Sequence, residues 1–242
     1  GNAGASSTTS NNYAIDNQRP TATISVTDTS LIADETSPVT ITFSEAVTDF
    51  TNADLTVANG TLSSVSTSDG GITWTATLTP TANVSDATNI ITLDNTGVAD
   101  TAGNAGAGST NSNNYAIDTA LPTIASIDDG DADNTIIIGD ALTYTIAFTK
   151  DIDSATVTAA DFNNAGTAAI SIGTITETSA GVFTVQVTPS TAGTIILRLP
   201  TGAAISDVAG NNLAVPVQDD DTVTVNPPTV TIAATDSTAA EA

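Results

Sequence analysis

Residues 71–79 read GITWTATLT, with an apolar residue at every second position and threonine between them. Successive side chains of a β-strand point to opposite faces, so this period of two predicts a strand with one face in a core and the other in solvent. TATISVT at 21–27 and PVTITFS at 38–44 repeat the pattern. The predicted inward residues are Ala22, Ile24, Val26, Val39, Ile41, Phe43, Ile72, Trp74, Ala76 and Leu78.

The same alternation continues in the second half of the chain. TYTIAFT at 143–149 and VFTVQVT at 182–188 place six further residues inward: Tyr144, Ile146, Phe148, Phe183, Val185 and Val187. Clusters of Gly, Asn, Asp and Pro separate the strands at short intervals, and no stretch shows a convincing amphipathic helical stripe. The sequence therefore predicts an all-β protein.

The chain repeats itself at the length of a whole domain. GNAGASSTTSNNYAIDNQRPT begins at position 1 and returns as GNAGAGSTNSNNYAIDTALPT from position 103, an offset of 102 residues. A diverged third copy at 206–229 has Asp207 and Asn211 in the places of Asp100 and Asn104. Such a period is too long for a solenoid rung and indicates an array of separate domains.

Prolines 20, 122 and 228 recur at equivalent places and mark the linkers. The predicted organisation is the last strand of a preceding repeat at 1–18, complete repeats at 19–118 and 119–226, and the first strand of a following repeat at 227–242. Because the chain opens at Gly1 without a signal peptide, we expect a segment from the interior of a longer exported protein.

Each repeat is predicted to hold about seven antiparallel strands in a Greek-key, immunoglobulin-like β-sandwich. In the first repeat these lie near 21–27, 38–44, 53–58, 61–67, 71–79, 89–95 and 111–118. The sequence has no cysteine, so the inter-sheet disulfide of many such domains is excluded. Trp74 is expected to pack on aliphatic neighbours instead.

Composition excludes several classes of function. The formal charge is −24, from three basic and 27 acidic residues, which disfavours nucleic acid and anionic lipid as partners. Without Cys or His there is no common zinc site, no Cys or His nucleophile and no imidazole base. Aromatic residues make up only 4% of the chain, and most lie at inward strand positions, so we predict no enzyme. No apolar run is long enough for membrane insertion.

The string DTAGN at 100–104, the Thr- and Ser-rich strand ending in YAID at 115–118 and the following PT resemble the bacterial immunoglobulin-like (Big-type) tandem repeats of large surface adhesins, including extender domains of RTX-type adhesins. TFSEAV at 42–47 is also similar to those repeats. The resemblance covers the first repeat and, more loosely, the second. It implies display at the cell surface and, in many members, calcium at domain junctions.

Strand parity predicts a metal site at the linker end of the first repeat. If seven strands alternate in direction, the loop carrying Glu45 and the loop carrying Asp100 and Asn104 both return to the end where Asp16 and Asn17 lie. Oxygen ligands from three segments suit Ca²⁺, which takes six to eight oxygens in a tolerant geometry. The alternative is that DTAGN is only a well-formed turn.

Two further acidic groups are weaker candidates. At the second junction the equivalents are Asp118, Asp207 and Asn211, but Lys150 replaces Glu45, which leaves Asp151 or Asp153 as the substitute. The loop DDGDADN alternates Asp129, Asp131 and Asp133, a pattern that attracts a divalent cation or forms a solvated turn. Asp219, Asp220 and Asp221 are interpreted as a solvated approach to a strand, because adjacent carboxylates in a strand point to opposite faces.

These observations predict an extracellular extender segment, with neighbouring repeats of the same polypeptide as partners and calcium stiffening the linkers. Three alternatives stay open. Identical subunits could build a filament or surface layer by head-to-tail strand complementation. The loops could bind carbohydrate or another surface, or the acidity could reflect a saline habitat.

Overall fold

The computed structural model describes Gly4 and residues 9–230. The chain divides into two compact units, Gly1–Thr119 and Ala120–Ala242. This division lies one residue after the repeat boundary that the sequence predicts. Among the described residues there are only strands and short 3-10 turns.

The described residues of the first unit form thirteen short strands: β1 (Ala22–Val26), β2 (Ser30–Ile32), β3 (Ser37–Phe43), β4 (Val47–Thr48), β5 (Leu55–Val57), β6 (Gly60–Leu62), β7 (Ser66–Thr67), β8 (Thr73–Pro80), β9 (Ser85–Asn89), β10 (Ile91–Asp94), β11 (Ala99–Asp100), β12 (Ser109–Asn111) and β13 (Tyr115–Asp118). One sheet has the order β1-β3-β8-β6, with β7 also on β8. The other strands form three small sheets, β12-β10-β5, β2-β13-β9 and β11-β4.

Strand register brings the alternating apolar residues into one core. Ile41 lies opposite Ile24 on one side and Trp74 on the other. Tyr115 and Ile117 of β13 are buried in the same cluster. Threonine occupies much of the outer face, so the predicted division into a buried and a solvated face is confirmed.

The second unit repeats the arrangement, and its described residues form ten strands: β14 (Ile124–Asp128), β15 (Thr135–Ile137), β16 (Leu142–Phe148), β17 (Asn163–Asn164), β18 (Ile170–Ser179), β19 (Val182–Pro189), β20 (Gly193–Ile195), β21 (Leu197–Leu199), β22 (Val217–Gln218) and β23 (Val223–Asn226). Its sheets are β14-β16-β19-β18, β15-β23-β20 and β17-β21-β22. Tyr144, Ile146, Phe183, Val185 and Val187 lie in its core, as the alternation predicts. Both units are immunoglobulin-like β-sandwiches.

One strand pairing in each unit departs from the purely antiparallel prediction. The short strand β2 runs parallel to β13, and β15 runs parallel to β23. The first strand of each sandwich therefore switches from one sheet to the other, which ties the two sheets together at their edge.

One predicted inward position is wrong. Ile72 is 40% exposed, because β8 begins only at Thr73 and the Asp69 carboxylate holds the amides of Ile72 and Thr73 in a turn. Trp74 packs against the first unit's core, as predicted, and in addition makes an edge-to-face contact with Phe50 at a centroid distance of 5.2 Å. Its indole N–H donates to the Gly71 carbonyl.

The predicted partial repeats at the ends are only partly within the described residues. Gly4 and residues 9–18 contain no strand, and neither do residues 227–230. Residues 231–242 lie outside the described residues.

Candidate cation site

Asp100 is held in place by the loop that follows it. It ends β11, is buried, and lies opposite Val47 of β4. Its Oδ1 accepts hydrogen bonds from the amides of Ala102 and Asn104, and its Oδ2 accepts one from the Asn104 side chain at 2.7 Å. Gly103 completes the turn with φ of +94°, a conformation that favours glycine. DTAGN is therefore a well-formed turn that fixes one carboxylate.

Asn104 also ties this turn to the linker. Its side-chain N–H donates to the main-chain carbonyl of Asp16 at 3.2 Å. The Asp16 carboxylate in turn accepts from the Gln18 amide. Asn17, between them, is exposed. The linker segment is thus attached to the strand loop 88 residues later in the chain.

Glu45 completes the group from the loop after β3. One carboxylate oxygen from each of Asp16, Glu45 and Asp100 lies within 4.8 Å of the other two. In the part of the chain that the structure describes, these are the only three acidic residues in such a group. The linker and the two loops therefore meet at one end of the first unit, as the alternating strand directions predict.

The electrostatics of the three acids differ. The pKa of Asp100 lies below its ordinary value because Asn104 donates a side-chain hydrogen bond to the carboxylate, assisted by backbone N–H groups against the effect of desolvation. Desolvation raises the pKa of Glu45, and the negative charges of Asp100 and Asp16 raise it further. A cation among the three carboxylates relieves this repulsion.

The oxygen atoms fit a hard divalent cation. Oxygens bound to Ca²⁺ at about 2.3–2.6 Å lie no more than roughly 5 Å apart across the ion. The site supplies no nitrogen or sulfur ligand, and an open depression beside Asp16 and Glu45, also lined by Arg19 and Ser44, leaves room for water. Carboxylate oxygens are among the ligands that calcium takes in proteins.

The second unit has a different arrangement at the equivalent place. The ammonium of Lys150, at the position of Glu45, forms an ion pair with Asp207 Oδ2 and donates to the Ala120 carbonyl at 2.7 Å. Asp207 is otherwise held as Asp100 is, with Asn211 donating from its amide and its side chain. Burial acts to raise the pKa of Asp207, but Lys150 and Asn211 outweigh it, so the pKa lies below the ordinary value.

Among the described residues, the two acids expected to replace Glu45 in the second unit do not form a group of three carboxylates with Asp207. Asp151 is exposed, and its carbonyl accepts from the Val208 amide. Asp153 accepts from the Ala155 amide at the start of a 3-10 turn. Asp118 ends β13 in the first unit. The sequence showed the substitution at Lys150 but not that its ammonium would reach the buried aspartate.

The loop after β14 does not bring the carboxylates of Asp129, Asp131 and Asp133 together into one group. Asp131 uses both oxygens within the loop, accepting from the amides of Asp133 and Thr135. Asp133 is exposed, whereas Asp129 is buried. Asp219 is also buried, so the interpretation of Asp219 to Asp221 as wholly solvated is wrong for its first residue.

These sheets define an immunoglobulin-like β-sandwich with acidic loops at one end of the first unit. Residues 16–117 match the family model of the bacterial Ig-like domain. The first unit is therefore a bacterial Ig-like domain, which confirms the resemblance seen in the sequence. A search of curated proteins found no match to the chain.

Three solved structures match most of this chain at low sequence identity. Invasin, a bacterial integrin-binding protein, matches 85% of this chain at 16% identity with a TM-score of 0.38. An S-layer protein matches 84% of this chain at 8% identity, with a TM-score of 0.26. The tandem Ig repeats of Dlar match 87% of this chain at 12% identity, also with a TM-score of 0.26. This chain spans 40% of the invasin chain, 54% of the S-layer chain and 99% of the Dlar chain.

Among the described residues, no helix has the length and apolarity to cross a bilayer.

Proposed function

We propose that this chain is an extender segment of a bacterial cell-surface protein, and that its first unit binds Ca²⁺ through Asp16, Glu45 and Asp100. The convergence of these three carboxylates from a linker and two loops is the observation that supports the proposal. Neighbouring repeats of the same polypeptide are the proposed partners.

Calcium at this site acts on the linker rather than on a substrate. Among the described residues, Asp16 is joined to the Asp100 turn by one exposed hydrogen bond, from the Asn104 side chain at 3.2 Å. A bound ion adds bonds from the linker, the Glu45 loop and the Asp100 turn to one centre. The direction in which the chain enters the first unit is then restrained, as a stiff array requires.

In the second unit the ammonium group of Lys150 neutralises the buried carboxylate, where we propose that calcium does so in the first unit. Lys150 forms an ion pair with Asp207 and donates a hydrogen bond to the carbonyl of Ala120, which precedes β14. A covalently attached ammonium needs no calcium. We therefore propose one calcium-dependent and one calcium-independent linker attachment in the same chain.

The test is thermal unfolding in calcium, in chelator and in sodium chloride of matched ionic strength. For a site with free calcium at a hundred times its Kd, binding stabilises by about 2.7 kcal/mol. For a chain of this size each kcal/mol raises Tm by about 2–4 °C, so the expected increment is roughly 5–10 °C.

Glu45→Gln is the informative variant because it removes one charged ligand and keeps the side-chain shape. Asp34→Asn is the matched control: it removes one charge from an exposed loop of the same unit, and asparagine tolerates the positive φ of 64° there. The proposal requires the calcium increment to shrink in Glu45→Gln and persist in Asp34→Asn. An equal response to sodium and calcium in all three proteins contradicts it and favours adaptation to salt.

A further inference from the structure

Three oxygen atoms in the second unit are buried without a hydrogen-bond partner among the described residues. They are Asp129 Oδ2, Asp219 Oδ2 and Tyr144 Oη. The three residues are 6%, 3% and 0% exposed, respectively. An uncompensated buried carboxylate is costly, and two of them in one region indicate that a counter-charge belongs there.

The fold brings these residues to the same end of the sandwich. In the β14–β16 pair Asp128 lies opposite Thr145, so the next position in register sets Asp129 opposite Tyr144. Asp219 directly follows β22, and its amide donates to the Leu197 carbonyl.

Asn134 fastens the two acidic segments together. Its side chain donates to both oxygens of the Asp221 carboxylate at 2.9 Å, and its carbonyl accepts from the Thr224 amide. The loop that begins at Asp129 and the segment that begins at Asp219 are thereby held side by side.

Each buried aspartate is oriented through one oxygen only. Asp129 Oδ1 accepts from the Asp131 amide at 2.8 Å, and Asp219 Oδ1 accepts from the Asp221 amide at 3.3 Å. Burial raises the pKa of both carboxyls, and the charge of Asp129 raises that of Asp219 further. Burial also raises the pKa of the Tyr144 hydroxyl, followed by the charges of Asp219 and Asp129.

The first unit fills the equivalent positions with apolar side chains. By strand register Val26 and Val39 stand where Asp129 and Tyr144 stand in the second unit. The neutral amide of Asn113 bonds to both the N–H and the carbonyl of Val26. A carboxyl group and a phenol thus stand in the second unit where the first unit has a valine pair, and the packing of the sandwich does not explain the exchange.

We propose that the second unit binds a divalent cation of the calcium type through Asp129 Oδ2, Asp219 Oδ2 and Tyr144 Oη. The two carboxylate oxygens are ligands that calcium prefers in proteins, and Tyr144 Oη is a third, neutral oxygen beside them; water fills the remaining positions. A surface depression lined by residues 124–127 and 218–220 opens beside Asp219.

Isothermal titration calorimetry of the full chain with calcium chloride tests the site. Asp219→Asn should lose one binding event, or weaken it by at least about tenfold, because the number of charged ligands sets calcium affinity. Asp133→Asn is the matched control, since it removes one exposed charge from the same acidic region and should bind as the parent does. Asp100→Asn affects only the proposed site of the first unit, so failure of either site is recognised separately.

Nuclear magnetic resonance locates the ion. Calcium should shift the amide signals of Asp131 and Asp221, which donate to the two ligand carboxylates, and the shifts should vanish in Asp219→Asn. Asp129→Asn serves as a second variant if Asp219→Asn does not fold. The alternative is that the two carboxyls share a proton. In that case Asp219→Asn raises Tm equally in calcium and chelator without loss of a binding event, and the proposal is overturned.

Discussion

Replacing Lys150 by methionine removes the ammonium that lies on Asp207 while keeping a side chain of similar length. In the parent chain the ammonium bonds to the Asp207 carboxylate and to the Ala120 carbonyl. The variant therefore leaves a buried carboxylate without its counter-charge and a carbonyl without this donor.

The size of the effect follows from burial. The Asp207 side chain is fully buried, while that of Lys150 is 22% exposed. Removing one partner of a fully buried pair costs about 3–5 kcal/mol. Because Lys150 is partly solvated and the amides of Ala209 and Asn211 still donate to Asp207, we expect a loss of about 2–3 kcal/mol. For a unit of this size the corresponding drop in Tm is roughly 10 °C.

The loss should depend on pH in a defined direction. The pKa of Asp207 in the folded chain is below its ordinary value of 3.8, so the pair contributes stability above pH 3.8 and loses it as the pH falls through the folded pKa. The difference between the parent and Lys150→Met should thus be constant from neutral pH down to about pH 5 and shrink in stronger acid.

Urea unfolding of both proteins across this pH range measures the difference, and Lys150→Arg is the control that keeps the charge. A stability loss below about 0.5 kcal/mol, the range of an ordinary surface substitution, would refute the role given to Lys150. So would an equal loss at every pH, since it would show that only packing had changed.

Three further outcomes are expected. Glu45→Lys copies the second unit's arrangement into the first, so it should raise Tm in chelator and abolish the calcium increment; a retained increment would contradict the comparison of the two units. Tyr115→Phe removes the hydroxyl that donates to the Ala58 carbonyl at 2.6 Å, and urea unfolding should show a loss of about 1 kcal/mol. Asp69, whose pKa the Thr73 amide and other donors lower to about 2, stabilises the fold above pH 3.8, and this contribution disappears as the pH approaches 2. Asp69→Asn should therefore be less stable than the parent at neutral pH but lose less stability in acid, as followed by circular dichroism.

The long strands could be predicted from sequence because their alternation is unbroken. β3, β8, β16 and β19 all have a threonine-rich outer face and an aliphatic or aromatic inner face, and burial follows that pattern. The strands β2 and β15 have only three residues each, too few to show a period, and they pair in parallel with a segment far along the chain. Local pattern contains no information about such a pairing.

Side-chain placement in loops was less predictable. Counting strand directions was sufficient to bring Asp16, Glu45 and Asp100 together. It could not show that both carboxylate oxygens of Asp131 would accept hydrogen bonds within their own loop, nor that Asp129 would be buried. Asp219 follows β22 rather than lying within it, so strand alternation did not show which acid of the run would be buried.

The measurement that tests the central claim most directly is a calcium titration of the full chain followed by amide resonances. The amides of Ala102 and Asn104 report on Asp100, and those of Ala209 and Asn211 report on Asp207 in the same sample. The account predicts saturable calcium-dependent shifts at Ala102 and Asn104 and none at Ala209 and Asn211. Shifts of equal size at both pairs of amides would contradict the proposal that Lys150 takes the place of calcium in the second unit. The absence of shifts at both pairs would contradict a calcium site in the first unit.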